Sequence, residues 1–304
     1  MSLAIADKVV LVTGANAGLG YQISLALARG HAHVVMACRN AARAREAEAR
    51  LLSEVPNARV TSLLVDMSAP ESVHAFGRNF AERVDHLDVV IHNAGVFGVP
   101  LARNSAGHEL HLATNYLGPY TLTALLLPFF RAPSGGRVVH VGSLASRFCK
   151  LGLGELHRDE SEYKAAAAYA RSKLALLSHS MELNRRLQKS GSKVIAVSAH
   201  PGFAPTEGAR TFSLTRHKSA LGRFWVDKAQ GLLSSVAQAA RPILHAACAE
   251  GVRGGEYYGP GGWLEISGAP AKARVNRSAL DEELARNLWS TAEKLSGVRY
   301  LTEQ

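Results

Sequence analysis

The stretch KVVLVTGANAGLG, from Lys8 to Gly20, joins an unbroken apolar run to three glycines, Gly14, Gly18 and Gly20. A short β-branched run closed by glycines predicts a buried strand and a tight turn, and the residues that follow, up to Gly30, have amphipathic helical character. The same pairing recurs along the chain. HVVMAC at His33–Cys38 precedes an Ala/Arg/Glu-rich helix reaching about Glu54. RVTSLLVD at Arg59–Asp66 and HLDVVIHNAG at His86–Gly95 follow, with a helical segment between them. GRVVHVGS at Gly136–Ser143 and KVIAVSAH at Lys193–His200 flank another helix, and a last short strand is expected at Gly255–Tyr258. Strands that are apolar throughout, rather than alternating, belong in a parallel sheet covered on both faces.

Right-handed crossovers then give an α/β, Rossmann-type doubly wound sheet of about seven strands, with helices on both faces. No repeat, low-complexity block or linker divides residues 1–304, so one domain is expected. The chain is 47% hydrophobic and 20% charged, enough for a large core and unlike a disordered composition. No run approaches the ~18 apolar residues of a membrane span; the longest, near Leu125–Phe130, is interrupted by Pro128. The amino end lacks a signal-peptide pattern. Cys38, Cys149 and Cys248 lie far apart, which argues against a disulfide framework or a zinc site and fits a reducing, cytoplasmic setting. The formal charge of +10 raises nucleic-acid binding as an alternative. Its basic residues are scattered and carry no recognition signature, so no nucleic-acid partner is expected. A basic surface equally suits a phosphate-bearing cofactor.

In a doubly wound sheet, ligands bind beyond the carboxyl ends of the strands, where strand order reverses. Glycines after the first strand allow close approach of a pyrophosphate, which the amino end of the next helix attracts. A glycine-rich turn without a ligand is the plain alternative. The second strand ends in MACRN, which puts Arg39 where an adenosine ribose should lie, with no Asp or Glu between His33 and Ala44. An arginine there grips a 2′-phosphate, so the reading is NADP(H); a surface arginine at a strand end is the alternative.

The segment AYARSKLA, Ala168–Ala175, sets Tyr169 and Lys173 four residues apart. Spacing alone fits either a reactive pair or two neighbours on one helix face. Taken with the other motifs in order, however, the chain from about Asp7 to Gly259 resembles the short-chain dehydrogenases/reductases. TGANAGLG resembles that family's glycine turn, Asp66 its third-strand adenine contact, and NAG at Asn93–Gly95 its fourth-strand motif. Asn115 in NYLG, Ser143 in VGS, and Tyr169 and Lys173 in YARSK match its catalytic tetrad. HPGFAPT at His200–Thr206 matches the segment over the nicotinamide.

The resemblance implies cofactor contacts from Gly14, Asn16, Gly18, Leu19, Gly20, Arg39, Asp66, Met67, Asn93, Ala94, Gly95, Tyr169, Lys173, Pro201, Gly202 and Thr206, and no metal. It also implies that Tyr169 exchanges a proton with a carbonyl or alcohol oxygen and that Ser143 binds the same oxygen. Lys173 would hold the ribose and lower the tyrosine pKa, while Asn115 would hold a relay water. The implied reaction is hydride transfer between nicotinamide and a carbonyl or alcohol; a non-catalytic NADP-binding sensor is the alternative. The family's dimer face, on the helices of Asn115 and Tyr169, allows a homodimer or homotetramer.

Ser143 and Tyr169 are 26 residues apart, wider than in the family's shortest members. With NAG, NYLGPYTLT and SKLA, this spacing resembles the branch of retinol dehydrogenases and protochlorophyllide reductases, which favours bulky apolar substrates. Two stretches, about 146–166 and 203–226, are expected to contact substrate. The second combines Phe203, Phe212, Phe224 and Trp225 with Arg210, Arg216 and Arg223, which suits a hydrophobic or aromatic small molecule or an ordinary amphipathic segment. Other residues have plainer readings. His108 and His111 read as a solvated helix start, His140 as a hydrogen-bonded core histidine, and Leu174, Leu177 and Met181 as packing. Ser146 and Ser172 flank the site without a role, and the helix near Asp281–Leu295 caps the fold or meets a partner.

Overall fold

A computed structural model describes residues 5–131, 135–151, 163–203 and 235–302. Most of the two expected substrate stretches, and Thr206, lie outside the described residues. The strands are β1 (Val9–Thr13), β2 (His33–Cys38), β3 (Arg59–Leu64), β4 (Val89–His92), β5 (Gly136–Val141), β6 (Val194–Ala199), β7 (Tyr257–Pro260) and β8 (Pro270–Lys272). They form one sheet in the order β3-β2-β1-β4-β5-β6-β7-β8. The seven expected strands run parallel, and β8 adds an antiparallel edge paired with β7. That eighth strand was not legible beforehand: three residues, PAK, carry no period that separates them from a loop.

Burial explains the continuous apolar strands. Every residue of β1 is buried, yet successive side chains enter different cores. Val9 and Leu11 pack on one side with Val90 and Val138, whereas Val10 and Val12 pack on the other with Ile91 and Val139. The first core is covered by α3 (Pro70–Arg83), α5 (Gly118–Leu126) and α6 (Ala165–Lys189). The second lies under α1 (Gly18–Arg29), α2 (Ala41–Glu54) and two short helices, α7 (Val236–Ala239) and α8 (Arg241–Cys248). A three-residue α4 (Leu110–Leu112) runs through a π turn (Ala113–Leu117) into α5.

The carboxyl-terminal helix α9 (Glu282–Ser296) packs on the outer side of α6. Trp289 is 1% exposed, and the Arg186 guanidinium lies 4.4 Å above its ring. Tyr116 and Tyr120 on the π turn and α5 donate to Leu288 O (2.8 Å) and Val298 O (3.1 Å). The chain's own last helix therefore covers part of the face on which the resemblance places a second subunit. Among the described residues, no helix is long and apolar enough to cross a membrane.

A column of aromatic rings runs from the sheet through α6 to α9. His92 stacks on His140 (centroids 5.1 Å apart), His140 meets His179 edge-on (5.3 Å), and His179 stacks on Trp289 (5.2 Å). His92 Nε2 pairs with Thr123 Oγ1 at 2.8 Å. His140 is buried as expected, but neither of its ring nitrogens has a partner among the described residues, so stacking rather than hydrogen bonding holds it. Burial pushes His92 and His179 down to about 3. It also pushes His140 well below the ordinary 6.5, helped by the charges of His92, His179 and Lys173.

Because the folded-state values lie below the unfolded value, protons bind the unfolded chain first. The stability these groups contribute is therefore complete above about pH 6.5 and falls as the pH drops towards 3. Each such group contributes about 1.4 kcal/mol per pH unit in that window. His179→Phe, which suits the aromatic surroundings, is expected to flatten the stability slope between pH 5.5 and 4 by about that amount. Denaturant unfolding at several pH values measures it, and an unchanged slope would mean that the column does not govern acid sensitivity.

Candidate active site

The sheet order reverses beside β1: the chain runs outward through β2 and β3, then returns to β4 on the other flank. At that point the ends of β1 and β4 are joined by side chains. Thr13 Oγ1 accepts from the N–H groups of Asn93 (3.0 Å) and Ala94 (2.9 Å), and Asn93 Nδ2 donates to Thr13 O at 2.9 Å. Gly20 fits only because it lacks a side chain: a Cβ there would lie 2.2 Å from Gly14 O and 2.6 Å from Asn93 Nδ2. Gly18 opens α1 at a φ of 52°, with open space where a side chain would be. Ala17 precedes it, so α1 has no side-chain cap and no acidic residue in its first turn. The first-turn N–H groups and the positive helix end are thus available to an anion. The cradle fits the diphosphate of a dinucleotide.

The other candidates lie around these strand ends. Asn16 and Leu19 belong to the glycine turn and the start of α1, and the main chain at Ala15 and Asn16 lies near the Cys38 thiol, which burial pushes up to about 11. This neighbour at the end of β2 was not anticipated, since a lone cysteine carries no such signal. Arg39 is exposed just beyond β2, followed by Asn40, whose side chain caps α2 through Arg43 N (3.0 Å). Asp66, beyond β3, accepts from the Ser68 N–H (2.9 Å) and hydroxyl (2.6 Å), and Met67 is buried against Gly118. Pro201 and Gly202 come just after β6, beyond His200.

The four tetrad candidates converge at the carboxyl ends of β4 and β5. Ser143 caps the short turn after β5, where its Oγ accepts from Ala145 N (3.2 Å), and its side chain lies close enough to Tyr169 to influence the phenol. Lys173 is 4% exposed and donates from Nζ to Val141 O at 2.8 Å. Asn115, in the π turn, pairs with both main-chain groups of Val96: Oδ1 accepts from its N–H (2.8 Å) and Nδ2 donates to its carbonyl (3.0 Å). Nδ2 also reaches Ser172 Oγ at 2.9 Å, which gives Ser172 a role the sequence did not disclose. Gly95 lies between these groups; a Cβ there would come within 3.0 Å of Asn115 Oδ1 and 3.4 Å of Lys173 Nζ.

Electrostatically, the site departs from expectation in one respect. Burial raises the Tyr169 phenol above its ordinary value, and the nearby Ser143 side chain only partly offsets this. Lys173, which was expected to lower it, is itself pushed down to about 8 by burial, and its ammonium is directed at Val141 O. In the protein alone, burial outweighs the influences that would lower Tyr169.

His111 also departs from its expected setting. It is fully buried rather than solvated, because the helix carrying it packs against the start of α6. Its Nδ1 lies 2.7 Å from Glu109 Oε1 and 3.1 Å from the Tyr163 hydroxyl, and its ring stands edge-on to Tyr169 at 6.2 Å. Phe97 packs on Tyr169 at 4.6 Å. Aromatic and histidine contacts of this kind depend on distant segments meeting, so no local pattern announces them. Among the described residues, no group of three or more His, Cys, Asp or Glu side chains could hold a metal ion.

Comparison with known proteins agrees with this geometry. The model of the short chain dehydrogenase family matches residues 8–216. Human retinol dehydrogenase 13 is 34% identical over 300 residues, covering 97% of this chain and 86% of that protein. Human retinol dehydrogenase 12 is 32% identical over 295 residues, covering 96% and 87%. Among solved structures, an uncharacterized protein from Mycobacterium Paratuberculosis superposes with a TM-score of 0.77 at 32% identity, covering 97% of this chain and 96% of the other. L-Sorbose reductase from Gluconobacter frateurii, complexed with NADPH and L-sorbose, shares the fold with a TM-score of 0.68 at 21% identity, covering 84% and 96%. A family match over more than half the chain, and relatives alike over nearly all of it, make this protein a member of the short chain dehydrogenase family of oxidoreductases.

Proposed function

We propose that this protein is an NADP(H)-dependent oxidoreductase that interconverts a carbonyl and an alcohol on a hydrophobic or aromatic small molecule. The observation that carries this reading is the meeting of Ser143, Tyr169, Lys173 and Asn115 beside the glycine cradle between β1 and β4. The cofactor, when bound, supplies or accepts the hydride. Gly14 to Gly20 and the open end of α1 hold its diphosphate, and Arg39 meets the 2′-phosphate with a guanidinium suited to paired contacts.

The chain's own groups manage the proton and the reacting oxygen. Ser143 lies beside Tyr169, so the two hydroxyls can reach one substrate oxygen. Tyr169 gives that oxygen its proton in reduction and takes it back in oxidation, and Ser143 stabilises the charge that develops on it. The raised pKa of Tyr169 keeps the phenol protonated in the free protein, ready to act as the acid. Lys173, held by Val141 O, lies four residues along the same helix and is pushed down to about 8 by burial, so it stays mostly protonated at neutral pH but gives up its proton more readily than an exposed lysine. Asn115 spends its side chain on Val96 and Ser172, which leaves it the task of fixing the loop after β4 rather than touching substrate through its amide. The relatives named retinol dehydrogenase and the apolar residues Phe97 and Phe203 near the site support an apolar substrate.

Two measurements test the reading. NADPH consumption is followed with aromatic, terpenoid and steroidal ketones and aldehydes, for wild type and Tyr169→Phe. The variant is expected to lose roughly 10²–10⁴-fold in kcat, with NADPH binding nearly unchanged; weak cofactor binding would contradict the assigned role. Arg39→Asp is expected to move the NADPH/NADH preference towards NADH by about ten- to a hundredfold, the worth of a lost charge-assisted contact. An unchanged preference would place 2′-phosphate recognition elsewhere.

A further inference from the structure

A single carboxylate joins three segments at the carboxyl ends of β5, β6 and β7. Glu265 follows β7 in a turn where it and Leu264 both have left-handed backbones, at φ values of 59° and 50°. Side-chain-bearing residues adopt that conformation at a cost and keep it only where their surroundings impose it. Here the surroundings are specific. Glu265 Oε2 accepts from His200 Nε2 at 3.0 Å, Oε1 accepts from Arg274 N at 3.1 Å, and Arg147 completes an ion pair.

The histidine's orientation is fixed from its other side. Gly202 N–H donates to His200 Nδ1 at 3.1 Å, which leaves the ring proton on Nε2, directed at Glu265. The backbones also touch: Phe203 N–H donates to Ile266 O at 3.1 Å, and a Cβ on Gly202 would lie 2.3 Å from that oxygen. Arg147 belongs to the turn that Ser143 caps. Asn276 holds the same turn by donating from Nδ2 to Ser146 O (2.7 Å) and Cys149 O (2.8 Å). Burial alone would raise the Glu265 carboxyl, but Arg274 N–H, Arg147 and His200 together hold it below its ordinary value. The strained turn thus delivers a charged, three-partnered carboxylate rather than a neutral side chain.

We infer that Glu265 is a positioning residue that ties the Ser143 turn to the Pro201–Gly202 turn and so fixes the spacing of the two walls between which the substrate oxygen must sit. The meaning of those walls rests on the proposed function; the tether itself does not. Through Arg147 the carboxylate restrains the segment that carries the oxygen-binding hydroxyl, and through His200 it restrains the segment expected over the nicotinamide.

Glu265→Gln keeps the shape and removes the charge, and Arg147→Met removes one partner at a partly exposed position, so at least one variant should fold. In the cofactor-free full-length chain, amide hydrogen exchange at residues 144–148 and at Gly202 and Phe203 is expected to accelerate at least about tenfold, with β1 and β4 unaffected. In turnover, kcat is expected to fall about tenfold while NADPH affinity changes less than about threefold, and the double variant should be no slower than either single one. A lower melting temperature with unchanged exchange at both turns and unchanged kcat would overturn the proposal, since it would describe a merely stabilising carboxylate. If the wild type reduces no carbonyl, the functional reading fails, and the exchange measurement still decides whether Glu265 is the tether.

Discussion

The structure depends on how closely β1 and β4 approach at the point where the strand order reverses. Asn93 and Thr13 exchange hydrogen bonds there, and Gly20 packs so tightly on Gly14 O and Asn93 that a methyl group has no room. A buried backbone group left without a partner is costly, so this stitching fixes both strand ends in one arrangement. The crevice that results is polar at its floor and rich in free helix N–H groups at its side. It is suited to a phosphate-bearing ligand before any charged side chain is considered.

Burial then sets the chemistry beside that crevice. Tyr169 and Lys173 lie where the protein penalises charge, so the phenol is pushed up and the ammonium pushed down. The two groups, close in proton affinity in water, are thereby driven apart, with the phenol holding its proton more tightly than the ammonium. Lys173 is satisfied by a main-chain carbonyl, and Ser143 is the side chain that offsets part of the burial of Tyr169. Such a site responds strongly to any charge that a ligand brings, because little water is present to screen it. The neighbouring column of His92, His140 and His179 adds no charge of its own near neutral pH, which keeps the environment of Lys173 apolar.

The elements packed around the site serve to hold it still. The outer side of α6 is covered by α9, so the helix that carries Tyr169 and Lys173 is clamped on both faces by its own chain. The turns after β5, β6 and β7 are joined through Glu265. A reaction that requires two hydroxyls and a hydride donor to meet at one carbon–oxygen bond gains from such restraint, because small errors of placement are costly in rate.

The sequence by itself determined the strand–helix alternation, the glycine cradle and the register of the Tyr169–Lys173 pair. These follow from local rules: a buried parallel strand must be apolar throughout, and a helix brings residues four apart onto one face. It also marked Asn115 and Ser143, because their motifs stand in order along the chain. Only the tertiary structure decided the rest. PAK at β8 is too short to show a period, and His111, which reads as a surface residue in its own segment, becomes buried when Tyr163 and Tyr169 arrive from more than 50 positions away. Glu265 draws its partners from positions 147, 200 and 274, three stretches with no mutual pattern in the sequence. The direction of the Tyr169 shift belongs to the same class, since desolvation is a property of everything packed around a group and not of its neighbours in the chain.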